Sequence, residues 1–179
     1  MIFQETNIHG VFIVDLKRIE DHRGYFGRVW CQKEFGELGL NINVAQTNVG
    51  FSHKRGTLRG IHFQRSPHQE AKLVRCTLGA IFDVAVDLRI GSPTHRKWVG
   101  VELSSENGRM LYVPEGCGHG YQTLADNTEM YYQTSAFYAP ESAGGVRFDD
   151  AAFRIGWSLP VSVISDNDAR WPDYGAGID

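Results

Sequence analysis

The sequence predicts an all-β protein, an antiparallel sandwich or barrel. Three observations carry that expectation. About nine or ten short runs are rich in β-branched and aromatic residues. Turn signals separate them, among them SPH, LGA, GSPT, SENG, PEGCG, ADN and APESAGG. No helical pattern extends convincingly beyond two turns, so the alternation of strands with long helices that a doubly wound fold needs is missing.

The elements follow in order. Gly10–Leu16 (GVFIVDL) is a β-branched, apolar run, and DHRG at Asp21–Gly24 turns the chain into a second strand, Tyr25–Cys31. Lys33–Leu38 suits a short helix stopped by Gly39. Asn43–Phe51 alternates, which places the amides of Gln46 and Asn48 on one face, where both can address one ligand. The strands then come quickly: Thr57–Gln64, Ala71–Thr77, Ala80–Arg89, Trp98–Ser104, Met110–Val113, Gly120–Leu124 and Thr128–Tyr138. Phe153–Trp157 is a partial strand, Val161–Asp168 a closing loop, and Trp171–Asp179 is expected to fray. Parity within Ala80–Arg89 puts Phe82, Val84, Val86 and Leu88 on a core face and Asp83, Asp87 and Arg89 opposite, with Asp87 and Arg89 on a solvated outer face.

A chain of 179 residues fits one domain spanning 1–179, and at this size roughly 70% of the unfolded surface can be buried. The 42% hydrophobic and 22% charged fractions belong to an ordinary globular protein, with no run of transmembrane length. MIFQETNIHG lacks the basic and apolar segments of a signal peptide, which points to the cytoplasm. A net charge of −3 supplies no field to attract nucleic acid or an anionic membrane. Cys31, Cys76 and Cys117 are widely and irregularly spaced, without a CxxC pair, and suit reduced, small apolar roles.

Polar groups concentrate where a plain β-protein has little use for them, in Gly56–Arg89. His62 stands in an apolar and aromatic run, Lys72 opens the next apolar run, and Asp83 and Asp87 punctuate the one after it. A lone histidine in such a strand is commonly a satisfied core residue, but its companions favour chemistry. An inward lysine is costly to desolvate unless it meets a negative charge or a ligand. His119 follows the turn motif PEGCG, which would present its ring at a strand mouth, and Tyr132 offers a phenolic proton donor on an apolar wall. A neutral imidazole, an ammonium and a phenol suit proton abstraction next to a carbonyl: the base takes the α-proton, the lysine stabilises the enolate, and the phenol protonates the opposite face. His62 and Gln64 share a face with Gly60, whereas Arg59 is out of phase. Either Arg59 serves another surface or a bulge at Gly60 re-aims it.

With His62, Lys72 and PEGCGHG in place, the chain closely resembles the dTDP-4-dehydrorhamnose 3,5-epimerase family from about Val11 to Asp168. The resemblance is carried by DHRGYFGR, NVGFSHKRGTLRGIHFQ, KLVRCTLGAIFDVAVDLR, SPTHRKW, LSSEN, VPEGCGHGYQTL and YAPE. It implies a cupin-type jelly-roll barrel of antiparallel strands with short peripheral helices, without metal or other cofactor. It also implies a homodimer with exchanged N-terminal segments, acting on a nucleotide-sugar substrate, with no nucleic-acid or membrane partner. His62 matches the general base, Asp168 the carboxylate that orients it, Lys72 the enolate-stabilising cation and Tyr132 the proton donor. The family's substrate contacts fall on Arg23, Phe26, Gln46, Asn48, Arg59 and His119, and arginines at Arg23 and Arg59 suit a diphosphate.

The expected reaction is epimerisation at C3, C5 or both of a nucleoside-diphosphate 4-keto-6-deoxy sugar, foremost the rhamnose precursor. A 3,4-ketoisomerase or a mono-epimerase on the same scaffold are the alternatives. A metal-dependent cupin oxygenase is a further one, since Gly56-x5-His62-x-Gln64 and Pro114-x-Gly116-x2-His119 resemble degenerate cupin metal motifs. Gln64, however, is a poor transition-metal ligand, and Lys72 adds repulsion. Three positions depart from the usual family pattern: Arg28 and Ala143 stand where many members carry an acidic residue, and Asn167 where many carry lysine.

Overall fold

The computed structural model describes residues 1–41 and 43–175. The elements are β1 (Ile2–Glu5), β2 (Phe12–Asp15), β3 (Ile19–Asp21), β4 (Gly24–Phe26), α1 (Gln32–Gly36), β5 (Gln46–Ser52), β6 (Thr57–Gln64), β7 (Lys72–Leu78) and β8 (Ala80–Asp87). Then come β9 (Trp98–Ser104), β10 (Met110–Val113), β11 (Cys117–Thr123), β12 (Thr128–Thr134), β13 (Ala143–Gly145), β14 (Val163–Ile164) and α2 (Asp166–Ala169). One sheet runs β1-β2-β10-β7-β12-β5 and the other β13-β6-β11-β8-β9, with β14 added parallel to β6. All other pairings are antiparallel. The result is the expected jelly roll, although among the described residues its two sheets share no backbone ladder and so do not close into one hydrogen-bonded barrel.

The core lies between the sheets. Val74, Cys76 and Leu111 of the first meet Ile81, Ala85 and Leu103 of the second, each large side chain contributing about 1.5–3 kcal/mol of burial. Burial pushes the Cys76 thiol up to about 11 and the Cys117 thiol up to about 12, so both stay protonated and apolar at neutral pH. Two further layers cover the outer faces. Phe35 of α1 packs with Val14, Met110 and Tyr112 on the first sheet, and Val146 and Phe153 pack with Ile61, Val84 and Val86 on the second.

That second layer corrects the reading of β8. The alternation holds, but its even face is covered by the segment after β13, and its odd face points into the sandwich rather than into water. Asp83 and Asp87 are fully buried. Asp87 is satisfied by the Arg89 guanidinium and the hydroxyls of Ser92 and Thr94.

Three strands, β6, β9 and β10, coincide with the expected ranges. The strand expected over Tyr25–Cys31 shortens to a hairpin arm, β4, paired only with β3. Phe153–Trp157 is not a strand. Of the tail expected to fray, Ala176–Asp179 lie outside the described residues, whereas Trp171–Tyr174 are held in place: the Arg147 N–H donates to the Pro172 carbonyl at 3.2 Å and Tyr174 packs on Phe153. No helix among the described residues is long and apolar enough to cross a membrane.

Candidate active site

At one end the space between the sheets is not filled by side chains and forms a cavity of about 710 Å³, the size of a small-molecule site. Strand β6 organises it. Along the pairing of β6 with β11, His62 faces His119 and Arg59 faces Tyr121, three residues advancing against two. The extra residue is a bulge at Gly60, which brings Arg59 into phase with His62, so both line the cavity. Gly60 has φ +111°, and a Cβ there would lie 2.6 Å from the Gly120 Cα and 2.7 Å from the His119 carbonyl oxygen. Only glycine tolerates both demands.

His62 and Asp168 form a dyad from residues 106 apart in sequence. His62 Nε2 lies 2.5 Å from Asp168 Oδ1. The carboxylate also accepts from the Gly60 N–H at 3.4 Å and the Trp171 indole N–H at 3.3 Å. Burial alone would raise the Asp168 carboxyl, but the hydrogen bond and charge of His62 with these backbone and indole donors outweigh it and hold the group below the ordinary carboxylate range. Asp168 is therefore ionised at neutral pH and acts as acceptor. Against that acceptor a neutral His62 donates through Nε2 and presents the Nδ1 lone pair. Helix α2 fixes the carboxylate's backbone: the Asp168 N–H donates to the Ser165 hydroxyl at the helix start, 3.1 Å away.

The facing sheet supplies the other groups. Lys72, at the first position of β7, has a side chain only 11% exposed, and its ammonium lies 3.1 Å from Glu70, 12% exposed. The sequence reading missed Glu70, although an inward lysine calls for a nearby carboxylate and this one precedes it by two residues. Tyr132 projects from β12 into the same cavity. Burial is the main cause raising its phenol above the ordinary value, and the negative charge of Glu70 adds to it, so Tyr132 stays protonated at neutral pH. Gln46 and Asn48 of β5 share the cavity face as their alternation requires. Gln46 gives its amide oxygen to the Tyr138 N–H at 2.6 Å, tethering the segment after β12. The Arg59 guanidinium donates to the Phe51 carbonyl at 3.0 Å, which fixes it beside β5.

One expectation is corrected. His119 is not at a strand mouth: β11 begins at Cys117, so His119 is an interior strand residue, buried, with Nε2 2.8 Å from Asp83 Oδ1. It still lines the cavity. Arg23 and Phe26 do not reach the cavity of their own chain. They sit on the β3–β4 hairpin, with the Arg23 side chain 78% exposed and paired with Asp21, and Phe26 66% exposed. Arg28 likewise lies outside, paired with Glu34, while Ala143 and Asn167 line the cavity. Gln64, the degenerate metal-motif residue, is committed to structure: its amide oxygen accepts the Ala139 N–H at 2.7 Å and its nitrogen donates to the His68 carbonyl at 2.8 Å.

The dyad, ammonium and phenol thus share one cavity, an arrangement suited to proton transfer at a carbon next to a carbonyl. Comparison with known proteins gives the same direction. The family described as dTDP-4-dehydrorhamnose 3,5-epimerase matches residues 5–175. A dTDP-4-dehydrorhamnose 3,5-epimerase of Sinorhizobium fredii is 43% identical over 96% of this chain and 89% of its own length. The crystal structure of dTDP-4-dehydrorhamnose 3,5-epimerase from Elizabethkingia anophelis superposes with a TM-score of 0.94 at 40% identity, covering 97% of this chain and 96% of that one. A dTDP-6-deoxy-D-glucose-3,5-epimerase of Legionella pneumophila, in complex with dTDP-4-keto-L-rhamnose, superposes with a TM-score of 0.91 at 36% identity, covering 99% of this chain and 94% of that one. On its sequence and its fold, the chain belongs to the dTDP-4-dehydrorhamnose 3,5-epimerase family.

Proposed function

We propose that this protein epimerises C3 and C5 of dTDP-4-dehydro-6-deoxy-D-glucose to give dTDP-4-dehydro-L-rhamnose. The single observation that carries the proposal is the convergence in one cavity of the His62–Asp168 dyad, Lys72 and Tyr132. The C4 ketone acidifies the C–H bonds on both sides of it. His62 Nδ1 takes the proton from one carbon, and the electron pair of the C–H bond moves to the C4 oxygen as an enolate. Asp168 stabilises the imidazolium that forms, and the Lys72 ammonium stabilises the enolate oxygen. When the carbonyl re-forms, the Tyr132 O–H delivers a proton to the opposite face, inverting the carbon. His62 then loses its proton and Tyr132 regains one through solvent, which readies the site for the second carbon.

Arg59, Gln46, Asn48 and His119 hold the substrate, Arg59 on the diphosphate. We place Arg23 and Phe26 in the same role but in the cavity of a second subunit. The exposed β3–β4 hairpin that carries them supports this, since among the described residues of its own chain it pairs with no other strand. Because β1 pairs with β2 of its own chain, the exchanged segment is the hairpin region rather than the first strand. The protein is then a cytoplasmic homodimer of one domain per chain.

The product of a reaction with dTDP-4-keto-6-deoxyglucose, read by proton NMR, tests the reading. Inversion at both carbons is expected, inversion at one would make the protein a mono-epimerase, and a 3-keto product would make it a ketoisomerase. His62→Ala should lose about 10²- to 10⁴-fold in turnover while binding dTDP as the parent does. Parallel titrations with UDP, GDP and CDP decide the nucleotide.

A further inference from the structure

We infer that Trp171 is a positioning residue for the His62–Asp168 dyad, held against it by a strap formed from residues 171–174. The inference rests on the reading of His62 as the base. Three contacts converge on the indole. Its N–H donates to Asp168 Oδ1 at 3.3 Å, the same oxygen that His62 addresses. Its ring meets the His62 ring edge-to-face, with centroids 6.3 Å apart and planes at 73°. And it lies on Gly145, where a Cβ would come within 2.4 to 2.6 Å of three indole atoms. Gly145 is the β13 partner of His62 on β6, so the missing side chain opens the slot beside the base that the indole occupies.

The strap is anchored on the far side of Trp171, independently of the dyad. The Arg147 N–H donates to the Pro172 carbonyl, the Tyr174 N–H donates to Asp150, and the Tyr174 hydroxyl lies 3.1 Å from His95 Nε2. The helix that carries Asp168 has only four residues, too few to hold a side chain by its own stability. Trp171 supplies what the helix lacks. With His62 on one side and the indole N–H on the other, Oδ1 is fixed between two donors, and the ring limits the swing of an imidazole whose side chain is 44% exposed to the cavity. Misplacing a base by about 1 Å can cost on the order of 100-fold in rate, so a contact of this kind acts on turnover rather than on affinity.

The test compares Trp171→Phe, which keeps an aromatic ring on Gly145 but removes the N–H, with Gly145→Ala, which displaces the indole while leaving both dyad residues unsubstituted. His62→Asn serves as the control, and kcat, thermal midpoint and dTDP affinity by calorimetry are measured for each. A lost hydrogen bond to a charged group predicts roughly a tenfold fall in kcat for Trp171→Phe, and Gly145→Ala should fall at least as far. Both should bind dTDP within about twofold of the parent, because the indole contributes to positioning and not to the nucleotide contacts. If either variant folds and turns over at the parental kcat, or if kcat falls only in step with dTDP affinity, the inference is overturned. His62→Asn with parental turnover would instead remove the reading on which it rests.

Discussion

At the residue scale, the surroundings of Asp168 and Tyr132 push their protonation in opposite directions. Asp168 is held ionised, which suits the proposed role of His62 Nδ1 as the base, and Tyr132 is held protonated, which suits its proposed role as the acid. This pairing of environments separates two tasks that one fold must perform at one pH. Tyr132→Phe should lower epimerisation by about 10²-fold or more, yet His62 can still take a proton and return solvent deuterium to the same face. Exchange without inversion, followed by NMR in heavy water, is the expected phenotype. Equal loss of exchange and inversion would contradict the opposite-face role. His62, Lys72, Tyr132 and Asp168 were legible because each matches a motif position, and the first two because polar groups in apolar strands need a reason. Glu70 and the pairing of Asp83 with His119 were not. Alternation assigned Asp87 to the wrong surroundings, since a period of two says which residues share a face and not what covers that face.

At the scale of elements, the Gly60 bulge is the device that puts Arg59 and His62 in the same cavity. The sequence offered it as one of two explanations of Arg59's parity, and the register decides for it. Gly60→Ala must both adopt φ +111° and clear backbone atoms under 3 Å away. A loss of about 2 kcal/mol or more in stability is expected, read as a lower denaturation midpoint, together with lost turnover. An alanine variant as stable and active as the parent would show that the bulge is not needed.

The loop after β8 is locked by Asp87. Burial alone would raise its carboxyl, but hydrogen bonds from Arg89, Ser92 and Thr94 hold it well below the carboxylate range. A depressed carboxyl contributes stability that is present above the unfolded value of about 4 and is lost as pH falls through the lower folded one. Asp87→Asn should therefore be less stable than the parent at pH 7, with the difference narrowing in acid below about pH 4. Urea midpoints across that range check it. The short strands β13 and β14 escaped sequence reading because two or three residues carry too little periodicity, and their pairing partners define them.

At the scale of the whole molecule, the cavity of one chain lacks two of the substrate contacts that the family resemblance assigns, and the hairpin that carries them stands exposed. If Arg23 works in trans, Arg23→Ala and His62→Asn are both inactive alone but complement each other when their subunits are mixed. Random reassortment restores about one quarter of the parental sites, whereas mixing would restore nothing if each chain completed its own site. The antiparallel β architecture was legible because turn chemistry and strand patterning agree along the chain, and the jelly roll through the family resemblance, while the proposed quaternary contributions leave no local signal beyond exposed apolar and charged side chains such as Phe26 and Arg23.

The proposed reaction forms an enolate on either side of the C4 carbonyl and protonates it from the face opposite His62. The most direct test is incubation with dTDP-4-keto-6-deoxyglucose in heavy water, with label at C3 and C5 followed by NMR. The account predicts deuterium at both carbons of the inverted product and none with His62→Asn. Absence of label at both carbons, for that sugar and for its UDP, GDP and CDP analogues, would contradict it.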